Sequence, residues 1–581
     1  MRVNSIKRPL SQLIQSEGGN TMLSKFSKPL VFVLFSLGLF SGSVCAGTAE
    51  EDFYKAGDYN NASDYKQAVH WYKKSAEKGL AEAQYNLGLK YFEGQGITKN
   101  DKEAVKWIRK AAEQGLVEAQ YSLGYVYEKG KIITQNDKEA VKWYRKAAEQ
   151  GHATAQYSLG LKYTEGRGIT KNDKEAVKWV RKAAEQGYVK AQYSLGYVYE
   201  KGKMIAQNDQ EAFKWYKKAA EQGHATAQYN LGLMYFKGQV ITLNYEEAFK
   251  WSRKAAEQGN VRAQFSLGYM YKLGQGITKN DKEAFKWYKK AAEQGNVKAQ
   301  IHLGTMYLKG QGIAQNDKES FKWYKKSAEK GLAEAQGLLG LMYEEGKGVS
   351  QNYKEAFKWT KKAAEQGSAT AQHFLGYMYE QEQGITKNYK EAVKWYRKAA
   401  KQGSDSSQFF LGLMYEGGKG VSQNDQEAFK WYKKAAKQGL VEAQYYLGSM
   451  YKEGKGVSQN DQEAFKWYKK AAEQGKSTAQ ISLGMMYFKG QGVSQNDKES
   501  VKWYRKAAEK GLAEAQGLLG LMYAGGYGVP QNYIQAHKWI NIAASNGNKG
   551  SLHKRDVVAK RMTSEQIEEA QRLASEWIKS H

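Results

Sequence analysis

One cysteine, three prolines and eight histidines in 581 residues leave little room for several kinds of chemistry. A lone thiol, Cys45, can form neither an intrachain disulfide nor a cysteine-ligated metal centre. The histidines (70, 152, 224, 302, 373, 537, 553 and 581) include no i,i+4 pair and stand at no meaningful spacing from a carboxylate. No serine occupies a nucleophile elbow, and no glycine-rich loop follows a strand as a phosphate cradle would require. Catalytic, cofactor and metal residues are therefore expected to be none. The apolar run Leu30–Phe40 is too short to span a bilayer, which needs about 20 residues. Negative charge is also in deficit, with 60 Asp and Glu against 89 Lys and Arg, a net of +29. Because Pro530 is the one proline beyond the first 29 residues, breaking helices falls to the 60 glycines.

What is present is a clock. Fourteen of the 15 tryptophans stand 36 residues apart, from Trp71 to Trp539. A Leu-Gly pair keeps the same period from Leu87-Gly88 to Leu519-Gly520, as do Gln84 to Gln516, Tyr91 to Tyr523 and Gly79 to Gly547. Such a period marks a repeat array, whose units bury their apolar faces by stacking on neighbours. An array also escapes the size limit of roughly 250–300 residues on a single globular core. Thirteen units are expected over 80–547, behind a degenerate half-repeat or cap at 47–79 and ahead of capping helices at 548–581.

The start of the chain follows another pattern. Met22 opens a segment with Lys25 and Lys28, the apolar run, and then small residues to Gly47. This describes a signal peptide over 22–46, cleaved after Ala46, with residues 1–21 as an upstream segment and the mature protein periplasmic or secreted. Val44 is too bulky before Cys45 for a good lipoprotein site. Removal of residues 1–46 takes five Lys or Arg and one Glu and leaves +25, with no stable membrane span in the mature chain.

In the unit Leu80–Gly115, Ala83, Leu87 and Tyr91 lie four apart on one face of a first helix. Gly94 and Gly96 break it. Asn100 and Asp101 can cap a second helix, with Glu103 in capping-box spacing. That helix buries Ala104, Trp107, Ala111 and Ala112, and Gly115 ends it. Each Trp is expected to anchor the following unit, and Gln84 to bond a backbone group between units. Ile132, Met204 and Val240 at the second loop glycine position, and Glu382 at the first, predict altered turns without broken units.

The motifs A-x-A-Q-x-x-L-G-x-x-Y-x-x-G-x-G-[IV] (Ala81–Ile97) and A-x-K-W-x-x-K-A-A-x-x-G (Ala104–Gly115) resemble the Sel1-like repeat, a relative of the tetratricopeptide repeat. Arg555-Asp556, Met562–Gln566 and Ala570 to Trp577 resemble the closing helix of such arrays, with Thr563 and Gln566 as a capping box. The resemblance implies an all-α, right-handed superhelical solenoid that works as a non-enzymatic, protein-binding scaffold in the bacterial cell envelope or toward host factors. It also implies that first helices line a concave face. A cysteine-rich branch of the family is linked to β-lactam binding or hydrolysis, but this chain lacks its cysteines. A β-lactamase-like hydrolase is thus the last of the readings. The second is an envelope regulator that binds peptidoglycan, another anionic glycan or a glycan-cleaving enzyme.

Lys precedes Trp in thirteen of the fourteen units, and Lys or Arg recurs two and three positions later, giving basic ladders on the second helix. Nearby Glu103 and Glu113 compensate them in part, so a solvated face is the simpler reading, and an anionic envelope polymer the second. Nucleic acid is not an expected partner of an exported chain. Against a copied background, the residues at the Tyr85 position vary. Tyr85, Tyr121, Tyr157, Tyr193, Tyr229, Phe265, His373, Phe409 and Tyr445 are the candidate binding residues, presented on the first helices to a protein partner.

Overall fold

The computed structural model describes residues 47–238 and 240–580. The expected signal segment 22–46 and the upstream segment 1–21 lie outside them. Among the described residues there are 30 α-helices and no strand. The chain divides after Gln294 into two compact units. Seven helix pairs form the first, from α1 (Ala49–Asn61) and α2 (Tyr65–Glu77) to the pair ending at Glu293. Seven more form the second, followed by α29 (Gly550–Ala559) and α30 (Ser564–Ser580).

Residues 47–79 are more than the expected half-repeat. Thr48 and Glu51 cap α1 reciprocally, Asp64 caps α2, and Phe53 packs on the Tyr72 ring at 5.8 Å. This makes a complete helical hairpin, so the chain has fourteen pairs where the period alone suggested thirteen units. Its motif had drifted while its apolar spacing had not.

The pair α3 (Ala81–Glu93) and α4 (Asp101–Glu113) shows how a unit closes. Gly94 ends α3 in the left-handed region at φ 68°. A β-carbon on Gly96 would stand 2.0 Å from the Tyr65 carbonyl oxygen of the preceding pair, so that loop position needs glycine for space as well as angle. Asn100 accepts the Lys102 and Glu103 N–H groups as N-cap. Glu103 is not drawn into a capping box. It pairs instead with Lys106 at 3.3 Å, and its equivalents Glu211 and Glu247 also accept from the Trp215 and Trp251 indoles. The helices run antiparallel, with Gly88 against Ala104 and Ile108, and Gln84 against Gln114.

Two devices join pairs. Gln84 donates to the Ala76 carbonyl of the preceding pair at 3.1 Å and accepts from Gln114 at 2.8 Å, and the ladder repeats from unit to unit. Tryptophan is the second, though it reaches backward where a forward contact was expected. Trp143 shares a core cluster with Val105, Ile108, Ala111 and Ala112 of the preceding pair and with Ala119 and Leu123 of its own. Most of the periodic tryptophans are buried, while Trp71, Trp287 and Trp431 are half-buried. The expected turn changes divide. Ile132 and Met204 lack a positive φ and their units remain intact, but Glu382 takes φ 63° and reproduces the glycine turn. Thr563 and Gln566 form the expected capping box, and Trp577 meets Trp539 edge-on at 5.6 Å.

Candidate functional site: the first-helix stripe

The exposed half of each first helix follows from its period. Positions equivalent to 83, 84, 87 and 88 are buried nearly throughout, whereas those equivalent to 82, 86, 89 and 93 are mostly exposed or half-buried. The spacing of 4, 3 and 4 places them on one stripe.

The nine candidate residues stand one position away from this stripe, in the seam between successive first helices. Tyr85 bonds Ser122 of the next unit at 3.0 Å, and Tyr157 bonds Ser194 likewise. Tyr121 stacks on the His152 ring at 4.8 Å and Tyr193 on His224 at 4.5 Å. His373 Nδ1 meets Ser407 Oγ at 2.9 Å, Phe409 packs on Tyr432 and Tyr446, and Tyr445 lies beside Tyr446 and Tyr468. Tyr229 and Phe265 wall a cavity. Tyr121, Tyr157 and Phe409 are buried at 6%, 5% and 9% exposure, and the other six candidates are half-buried. Burial raises the phenol pKa of Tyr85, Tyr121, Tyr157, Tyr229 and Tyr445.

The stripe itself changes character along the chain. Position 86 reads Asn86, Ser122, Ser158, Ser194, Asn230 and Ser266 in the first compact unit. In the second it becomes Leu338, Phe374, Phe410 and Tyr446 over four successive pairs, all half-buried. Three residues on, Leu341, Tyr377 and Leu413 widen the band, and Phe374 stacks on Tyr377 at 6.1 Å. Position 86 varies along the sequence as position 85 does, and the 4-3-4 spacing joins it to the residues three positions on.

The basic ladders are largely engaged. Lys106 and its equivalents from Lys142 to Lys502 pair with the carboxylate three residues before. Lys110 sits 4.4 Å over the Trp107 ring, a placement repeated in other units. Arg109, Arg145 and Arg181 donate to Tyr127, Tyr163 and Tyr199 of the following pair. Lys162, 3% exposed at its side chain, bridges Glu128 at 3.2 Å and Asp137 at 2.9 Å. Burial pushes the Asp137 carboxyl up, but Lys162 and Arg167 outweigh it and hold the pKa below the usual range. Among the described residues no group of three or more His, Cys, Asp or Glu could hold a metal ion, and no helix is long and apolar enough to cross a membrane.

Comparison with known proteins places the whole array. The Sel1 repeat family profile matches fourteen consecutive segments, beginning with 52–80 and 81–116 and ending with 513–548. A solved structure of a protective antigen present in uropathogenic Escherichia coli strains, described as displaying an SLR fold, is 40% identical. That alignment covers 76% of this chain and 94% of the other, with a TM-score of 0.66. A Sel1 repeat protein from Oxalobacter formigenes is 34% identical over 53% of this chain and 90% of that one, with a TM-score of 0.45. No match is found among curated proteins. With fourteen matched repeats, all carrying the periodic Trp and thirteen of them the Gln and Leu-Gly pair as well, the chain belongs to the Sel1 repeat family.

Proposed function

We propose that this chain is an exported, non-enzymatic scaffold that holds a protein partner in the cell envelope or at a host contact, through the first-helix stripe. The observation that carries the reading is the apolar run Leu338, Phe374, Phe410 and Tyr446, at a position that is serine or asparagine in the first compact unit. A half-exposed aromatic band is what a protein interface concentrates at its centre. The paired lysines of the second helices are worth little individually to a partner. Export rests on the signal-like pattern of Met22–Ala46. The 40%-identical structure being described as a protective antigen accords with an exported protein.

Capture from native envelope lysate, run beside capture on intact peptidoglycan sacculi, tests the reading. Phe374→Ser with Tyr377→Ser should abolish retention of the captured protein, while Lys106→Glu with Lys142→Glu should mainly slow association. Retention on sacculi that the lysine reversals abolish would favour the glycan-binding reading. Turnover of envelope glycans or β-lactams by the pure protein would overturn the non-enzymatic one. Amino-terminal sequencing of the native protein should begin at Gly47.

A further inference from the structure

Second helices set a large side chain against the glycine of the first helix. Tyr216 lies against Gly196 and Tyr288 against Gly268, both fully buried. Between them, in α12 (Tyr245–Glu257), the same position holds Ser252 against Gly232. The missing ring leaves a cavity of about 160 Å³ between α11 (Ala225–Lys237) and α13 (Val261–Leu273), walled by Tyr229, Leu233, Phe236, Phe265, Tyr269 and Met270. Where Val180 stands at this position, less volume is missing and the cavity is about 10 Å³. Ser252 is the smallest side chain in this column, which elsewhere holds Tyr, Ile, Val or Thr.

The surroundings of the cavity are apolar as well. Tyr269, on the stripe, is 37% exposed, and Leu273 one turn later is 49% exposed. Equivalents of Leu273 are Lys, Glu, Gln or Gly in the units from Glu93 to Gly525. Leu243, in the loop after α11, is 48% exposed where the units from Lys99 to Gln531 otherwise carry Lys or Gln. Two leucines thus stand part-exposed at otherwise polar positions, one in this pair and one in the next.

We propose that this cavity is a socket for one aromatic ring, delivered as a phenylalanine or tyrosine side chain of the protein partner. The source of the ring rests on the scaffold reading above; the socket does not. An apolar cavity of roughly 150 Å³ has room for a benzene-sized group. The neighbouring pairs fill the same place with a tyrosyl ring of their own, so the vacancy already has ring dimensions. Burying a partner's ring there gains the desolvated aromatic contact that dominates interface energetics.

The test titrates N-acetyl-phenylalaninamide into residues 47–581 by ligand-observed NMR, with N-acetyl-lysinamide as control. Saturable binding of the phenyl probe alone is expected. Ser252→Tyr, which restores the side chain of the neighbouring pairs, should weaken it at least about tenfold without lowering the melting temperature; Ser252→Leu is the second filling variant, and Ser252→Ala should leave binding unchanged. Absence of saturable binding, or equal binding by both filled variants, overturns the socket. Filled variants that still capture the protein partner as wild type does overturn that partner as source of the ring. Ring binding with no captured protein would refute the scaffold reading and leave the socket standing.

Discussion

A single residue out of type shows its energy most plainly at Glu382. Its backbone takes the left-handed angle that other units give to glycine, at a steric cost of roughly 1–2 kcal/mol for a residue with a β-carbon. Glu382→Gly should accordingly raise stability by about 1 kcal/mol in denaturant titration, part of the relief being offset by the freer unfolded chain. His152 carries a different kind of strain. Its Nδ1 accepts the Ala155 N–H as a helix cap and its ring stacks on Tyr121, while burial lowers its pKa. Burial likewise lowers that of His373. As pH falls below about 6.5 the unfolded chain takes up these protons first, so stability is full above that value and declines below it. Melting curves across this range should show the decline, and His152→Asn should reduce it. Asn260 already fills the same cap position without titrating.

Helix pairing sets different magnitudes for one substitution in two places. Alanine is worth about 1 kcal/mol more than glycine in a helix interior, yet a β-carbon on Gly196 would meet the Tyr216 ring at 2.7 Å. Overpacking of that kind costs roughly 1–3 kcal/mol, so Gly196→Ala should destabilise. Gly232→Ala meets the Ser252 hydroxyl beside an open cavity, and its measured loss should be smaller. Between pairs, truncating Trp215, 4% exposed, should cost roughly 3–5 kcal/mol by chemical denaturation. The seam tyrosines belong to this scale too. Replacing Tyr121 or Tyr157 by Ala removes an aromatic stack or an inter-unit hydrogen bond, so stability should fall whether or not a partner is present.

At the scale of the molecule, a repeat array is a sum of unit and neighbour energies, which makes its length adjustable. Excising residues 441–476 joins Leu440 to Ser477 in phase and preserves the Gln and Trp positions at the new junction. The shortened protein should keep its ellipticity per residue and unfold cooperatively. A fall to partial helicity would show that this compact unit depends on more than neighbour contacts.

The period alone determined the helix pair, its glycine stops, the Asn cap and the identity of the core, because each is a local requirement repeated at every unit. It also disclosed the bonded role of Gln84, since a polar residue kept at a core position needs a partner. Tertiary packing decided the rest. How deeply each residue at positions 85 and 86 is buried depends on how neighbouring first helices nest, and one residue of rotation turns a side chain by about 100° around the axis. The backward reach of tryptophan is likewise set by the neighbouring pair, whereas Glu103 is drawn from its cap to Lys106 within its own helix. Ser252 is the smallest residue in a column that also holds Tyr, Ile, Val and Thr. That its small size leaves a ring-sized cavity follows only from the fixed distance between helices that the other units' tyrosines fill.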